Sequence, residues 1–198
     1  MAKQTIIAIA REFGSEGHAI GKELAEKLGL KLYDRSLLDE MADNMGIKVE
    51  VLEKHDEKPR NMFLSRRVGQ YTNSMEEIVA EMQFDFIREK AGSGESFVIV
   101  GRCADSVLQG TEGLITVYIT GTKEAKVKHV REKFQLSEPE ALMKMARHDK
   151  KRRQYYNRHS DREWGDARNY DLCINSSFLG VKDTVDVLET YVRKRMEK

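Results

Sequence analysis

A chain of 198 residues suits one domain with a substantial core and a ligand cleft, and a second independent domain is not expected. Its 34 Lys+Arg and 33 Asp+Glu leave a net charge of +1, so there is no overall basic field to hold nucleic acid and any anion site has to be local. The longest apolar runs are too short to cross a bilayer and the N-terminus lacks a secretory apolar core, so a cytoplasmic protein without a membrane partner is expected.

The first predicted strand, residues 5–10 (TIIAIA), leads through REFGSEGH into a helical pattern with Ile20, Leu24 and Leu28 at four-residue intervals. A strand, a glycine-rich turn and a helix together present backbone N–H groups and the positive end of a helix dipole to a phosphate. Gly14 and Gly17 permit the tight turn, Ser15 adds a hydroxyl donor, and Arg11 and His18 are the nearby cations. Glu16 opposes a phosphate if it turns inward and is harmless at the helix start if it faces solvent. The full motif G-x-x-x-x-G-K-[ST] is absent, because GHAIGKE from Gly17 is one residue short between its glycines and ends in Glu23. Lys22 stands two residues, about 200°, from Ile20 round a helix, so it is expected to face water. The residues alone leave two readings open, a phosphate loop or a plain strand-to-helix turn.

A short second strand at 30–33 precedes Asp34 and Arg35, where Asp34 reads either as a helix cap or as a site carboxylate. A helix-rich stretch follows, with Leu37, Leu38, Met41 and Met45 as one apolar side and Ile78, Met82 and Phe86 as another. The third strand, 97–100, runs into GRCAD, which holds Arg102, Cys103 and Asp105. A fourth strand at 114–119 is followed by a mixed helical stretch around Val127 and Arg131 and then by a very polar segment to residue 169. In that segment Asp149 is three residues from Arg152 and four from Arg153, so on a helix they pair and leave one guanidinium for a phosphate. Tyr155, Tyr156 and Trp164 are expected to pack the segment against the body. The fifth strand, 171–175, ends in NSS, and Val181, Val185, Leu188 and Val192 form a C-terminal helical stripe. Cys103 and Cys173 stand singly without metal-ligand spacing, which predicts reduced, packed thiols and no structural metal. Strands alternating with helices predict a parallel sheet, and such sheets bind ligands beyond their carboxyl ends.

Taken together, IIAIAREFGSEGHAIGKELAEKLGLKLYDRSLL, FVIVGRCAD, VYITGTKEAKVKHV and DKKRRQYYNRHSDREWGDARNYDLCINSS resemble the cytidylate kinase-like family, in order from about Thr5 to Val192. The resemblance implies a three-layer α/β/α fold with a five-stranded parallel sheet. It divides the chain into a core of 1–34, 95–134 and 170–198, a helical substrate-binding insertion at 35–94, and an arginine-rich lid at 135–169. It implies phosphoryl transfer from a nucleoside triphosphate to a nucleoside monophosphate or similar small acceptor. Mg2+ would accompany the triphosphate, and no tightly bound cofactor is expected. Arg11, Gly14, Ser15, Glu16, Gly17 and His18 would then meet the donor phosphates. Arg152, Arg153 and Arg102 would be catalytic, with Arg158 and Arg162 as further lid cations. Asp34, Arg35, Arg102, Asp105 and Asp149 would lie on the acceptor side.

Alignment with ordinary cytidylate kinases puts Gly17 at the loop lysine and His18 at the magnesium-binding hydroxyl. The branch tends to have FGSGGR where this chain has FGSEGH. These departures keep a second reading open, a catalytically silent nucleotide-binding or regulatory protein. A third, nucleic-acid binding through the basic segment, is disfavoured by the net charge of +1.

Overall fold

The computed structural model describes residues 4–34, 36–46, 48–56, 67–68, 71–72 and 74–197, with the backbone alone at 45, 67–68 and 71–72. The uninterrupted apolar runs form strands because a parallel sheet covered on both faces needs apolar side chains in both directions. β1 (Ile6–Arg11) turns Ile6 and Ala8 to one face and Ile7 and Ile9 to the other. It is followed by α1 (Gly17–Leu28) and the short β2 (Lys31–Tyr33). Next come α2 (Ser36–Met45), α3 (Val49–Glu53), the antiparallel pair β3 (Arg67–Val68) and β4 (Tyr71–Thr72), and α4 (Met75–Gly92). The chain returns through β5 (Phe97–Val100), α5 (Ala104–Val107), β6 (Leu114–Thr120), α6 (Lys123–Phe134) and α7 (Glu138–His159) to β7 (Leu172–Asn175) and α8 (Gly180–Met196).

The main sheet has the order β2-β5-β1-β6-β7, and every neighbouring pair is parallel. One face packs Ile6, Tyr33, Phe97 and Ile99 against Leu37, Leu38 and Met41 of α2, Leu52 of α3 and Val79 and Ile87 of α4. The other packs Ile7, Ile9, Val100 and Val117 against Ile20 and Leu24 of α1 and Val185, Leu188 and Val192 of α8. The result is the expected three-layer α/β/α sandwich. Each fully buried Ile or Leu contributes about 1.5–3 kcal/mol, so truncating Leu24 at the centre of α1 to alanine would cost about 2–5 kcal/mol. β1 is flanked on both sides, so the loop after it opens at the switch point of the sheet.

α7 links two regions. A capping box between Ser137 and Glu140 starts it, and Ala141 and Met145 pack on Val127 and Val130 of α6 with Phe13 against them. Further along, Tyr156 packs with Ala80 and Phe84 of α4 and with Cys103. The helix therefore touches both the loop after β1 and the helices between β2 and β5.

Three expectations change or sharpen. In α4 Phe86 is buried but Ile78 and Met82 are half-buried; Val79, Ala80, Phe84, Ile87 and Ala91 are buried instead, because α2 and α7 cover different sides of the helix. Met45 falls on a side chain outside the described residues. Cys103 is buried and free, but Cys173 is exposed rather than packed, because it lies on β7 at the edge of the sheet. Lys22 does face water, its side chain 63% exposed. Among the described residues no helix is long and apolar enough to cross a membrane.

Candidate functional site

The loop after β1 is a closed hydrogen-bonded turn. Laid over residues 11–18, the motif G-x-x-x-x-G-K-[ST] meets Arg11, Glu16, Gly17 and His18 at its four fixed positions. Glu16 nevertheless takes a backbone that glycine adopts freely, with φ 58° and ψ 13°, a left-handed conformation that costs a residue with a side chain about 1–2 kcal/mol. Gly14 is also left-handed, at φ 88°. Glu16 makes no side-chain cap, and its carboxylate lies 3.5 Å from Nδ1 of His129, away from the helix end. The first amides of α1, beginning at Gly17, lie in the turn whose N–H groups have no acceptor within the helix.

Ser15 corrects an expectation. It is 2% exposed and its Oγ donates to the Glu12 carbonyl at 2.9 Å, so its hydroxyl faces the protein interior of the turn. The Ser176 hydroxyl reaches the Ser15 carbonyl at 2.8 Å and ties the loop to the turn after β7. Glu12 accepts from Lys126 Nζ at 2.7 Å and Thr120 Oγ1 at 2.6 Å. Burial alone would raise its carboxyl, but Lys126 and Thr120 outweigh that and hold it below the ordinary range.

α7 closes against this loop. Asp149 accepts from the Phe13 amide at 2.8 Å, and Arg152 Nη1 donates to the Arg11 carbonyl at 3.2 Å while lying 3.5 Å from Asp149. The Phe13 ring stacks on His148, with centroids 4.2 Å apart and planes within 9°. Burial and the neighbouring cations, Arg152 first, lower His148 to about 4, so it stacks as a neutral ring at pH 7. Burial raises Asp149, against the opposing pull of the Phe13 amide and Arg152. Arg153 goes elsewhere: it is exposed and lies over Trp164, 5.6 Å from the ring centroid. Arg152 is thus the arginine paired at the loop, and Arg153 is held on the Trp164 ring.

Beyond β5 the backbone is left-handed at three successive residues, Gly101 (φ 87°), Arg102 (φ 59°) and Cys103 (φ 57°). This turns Arg102 inward, where it is 4% exposed and pairs with Asp56, a residue that sequence reasoning did not single out. Only its acidic type inside a charged run could have pointed to Asp56. Asp105 is 3% exposed and accepts from the Tyr156 hydroxyl at 2.7 Å; burial raises its carboxyl against that bond. Asp34 makes the contact of a cap and a second one to His18. One oxygen accepts from the Ser36 amide at 2.9 Å, as a cap does, and the other lies 2.6 Å from His18 Nε2. Burial would raise Asp34, but these bonds bring it below its ordinary value. Arg35 lies outside the described residues.

Arg11, Arg102, Arg152 and Asp105 line one narrow cleft of about 30 Å³, walled by Tyr155, Tyr156 and Trp164. Arg158 and Arg162 are not in it. They line a separate cavity of about 890 Å³ between α4, α5 and the end of α7, where Arg158 pairs with Glu77 at 2.6 Å. Among the described residues no cluster of three or more His, Cys, Asp or Glu is arranged to hold a metal ion.

A β2-β5-β1-β6-β7 parallel sheet with a glycine-bearing loop after its first strand is a kinase-type α/β fold. Shikimate kinase from Bacteroides thetaiotaomicron shares it with a TM-score of 0.57 at 15% identity, over 96% of this chain and 98% of that one. The chain belongs to the cytidylate kinase-like family, whose sequence pattern it matches over residues 6–178. It is similar to a cytidylate kinase from Pyrobaculum islandicum, 23% identical over 188 residues, 94% of this chain and 92% of the relative. It is also similar to an uncharacterized protein from Eubacterium ventriosum whose crystal structure superposes with a TM-score of 0.76 at 37% identity, over 96% and 99% of the two chains.

Proposed function

We propose that this protein transfers a phosphoryl group from a nucleoside triphosphate to a nucleoside monophosphate or a similar small acceptor. The observation that carries this is the convergence of Arg11, Arg102 and Arg152 on one cleft at the carboxyl edge of the sheet, beside the start of α1. Phosphoryl transfer asks a protein mainly to align donor and acceptor and to neutralise the moving charge. The loop from Gly14 to His18 would hold the donor phosphates with its amides. Arg152, carried by α7, would meet the transferring group, with Arg153 close by on the same helix. Arg102, Asp34 and Asp105 would orient the acceptor from the β5 and β2 side. Residues 35–94 would frame that acceptor, and 135–169 would act as the lid, with Arg158 and Arg162 on its far end. Mg2+ would enter as part of the donor, held by phosphate oxygens and water, in keeping with a protein site that offers guanidinium groups and amides.

One observation favours a second reading. The Asp149 carboxylate already occupies a loop amide, that of Phe13, and glycine stands where a loop lysine would be, as in a nucleotide-binding protein without catalysis. A coupled assay of ADP formation from ATP and Mg2+ across a panel of nucleoside monophosphates separates the two. Turnover with one acceptor supports the kinase. No turnover at high enzyme, while nucleotides still raise the melting temperature, removes it and leaves the binding protein.

A further inference from the structure

The side chains at 11 and 17 exclude each other. A Cβ built on Gly17 would lie 2.6 Å from Cβ and 3.0 Å from Cγ of Arg11, closer than real contacts allow. At the far end of the same side chain, a Cβ on Gly101 would overlap the guanidinium, 3.0 Å from Cζ and 3.2 Å from Nη2. Two glycines therefore form a trough in which Arg11 lies, with its stem over Gly17 and its head over Gly101 in the cleft shared with Arg102 and Arg152. Compared with G-x-x-x-x-G-K-[ST], the chain has a side chain where the motif has its first glycine and a glycine where the motif has its lysine. The glycine at 17 makes room for the side chain at 11.

We infer that Arg11 takes over the phosphate contact of the missing loop lysine, reaching the terminal phosphates of a triphosphate from the opposite end of the loop. The inference rests on the proposed donor site. An arginine at this place differs from a lysine in chemistry as well as in origin. It keeps its charge at every accessible pH and offers a planar fork that matches two oxygens of one phosphate.

The test is calorimetric binding of inorganic tripolyphosphate, AMPPNP with Mg2+, and AMP to the full chain and to Arg11→Gln and Arg11→Lys. Arg11→Gln is expected to weaken tripolyphosphate and AMPPNP by about tenfold or more, the worth of a charged hydrogen bond, with AMP nearly unchanged. Arg11→Lys, which keeps the charge, should recover part of the loss. Melting temperatures give a second, ligand-free measurement of the trough: Gly17→Ala should lower the melting temperature in the natural chain and do so much less in the Arg11→Gly background, where the opposing Cβ is gone. Equal triphosphate affinity in Arg11→Gln and the natural chain, or an equal cost of Gly17→Ala in both backgrounds, overturns the inference. Arg11-dependent tripolyphosphate binding with no acceptor phosphorylated would uphold it while removing the kinase reading, and absence of any polyphosphate binding would overturn both.

Discussion

The carboxylate of Asp149 and the backbone amide of Phe13 form a 2.8 Å hydrogen bond across 136 residues of sequence, so an anion from α7 sits on the loop after β1. With Arg152 on the Arg11 carbonyl and His148 on the Phe13 ring, this bond holds the middle of α7 against the loop. Asp149→Ala is expected to destabilise the protein by about 1 kcal/mol, leaving one half-buried donor without its protein partner. Amide exchange should speed up around residues 145–153 and stay unchanged in α8, because the two helices pack on different parts of the molecule. Exchange mass spectrometry checks this, and unchanged protection of α7 would show that the stacked rings alone hold it.

The Glu12–Lys126 pair predicts a pH-dependent stability. Glu12 titrates below its ordinary value of 4.5, so its contribution is fully present above that value and is lost as pH falls through the lower, folded one. Glu12→Gln leaves Lys126, whose side chain is 12% exposed, without its charged partner and should cost about 1–3 kcal/mol at neutral pH. The difference between the two proteins should close once the pH is low enough to protonate Glu12. Denaturant midpoints taken across that range measure it, and a gap that persists in strong acid would assign the loss to packing.

The fold is legible in the sequence because strands buried on both faces leave continuous apolar runs, as in 97–100, and because the helices on the outside keep a periodic stripe, as in Val185, Leu188 and Val192. α4 is less legible because it is covered on two sides, which blurs a single stripe into Val79, Ala80, Phe84 and Ile87. At the site, loop glycines and the arginines near strand ends are local signals. The ties that give those arginines their positions are not local: Arg102 to Asp56 and Arg152 to the Arg11 carbonyl join residues 46 and 141 apart, and nothing in either residue type marks its partner. The exchange between positions 11 and 17 lies between these cases. The spacing contains it, but only the contact of the two Cβ positions shows that one substitution requires the other.

Asp34 separates capping from binding. Asp34→Asn keeps an oxygen for the Ser36 amide but lacks the charge that faces His18, so its stability should fall by less than about 1 kcal/mol. Asp34→Ala removes the cap as well and should cost about 1–2 kcal/mol. If Asp34 orients the acceptor, both variants raise the acceptor KM to a similar extent despite their different stabilities. A KM that tracks melting temperature instead would reduce Asp34 to a cap.

Arg102 combines an ion pair with a strained backbone, and the two can be measured apart. At φ 59° a side chain is disfavoured, whereas glycine adopts the same angle freely. Arg102→Ala and Arg102→Gly both remove the guanidinium from Asp56 and from the cleft, so both should abolish a function that depends on it. They differ only in the backbone. In a helix or strand alanine is the more stable replacement by about 0.5–1 kcal/mol; here the order should reverse, with Arg102→Gly more stable than Arg102→Ala by about 1 kcal/mol. Urea midpoints at equal m-value give the comparison directly, and an alanine variant as stable as the glycine one would mean that the turn after β5 relaxes once the arginine is gone. The reversed order would instead show that the left-handed turn is built into the sheet edge and that a side chain at residue 102 is carried there at the cost of strain.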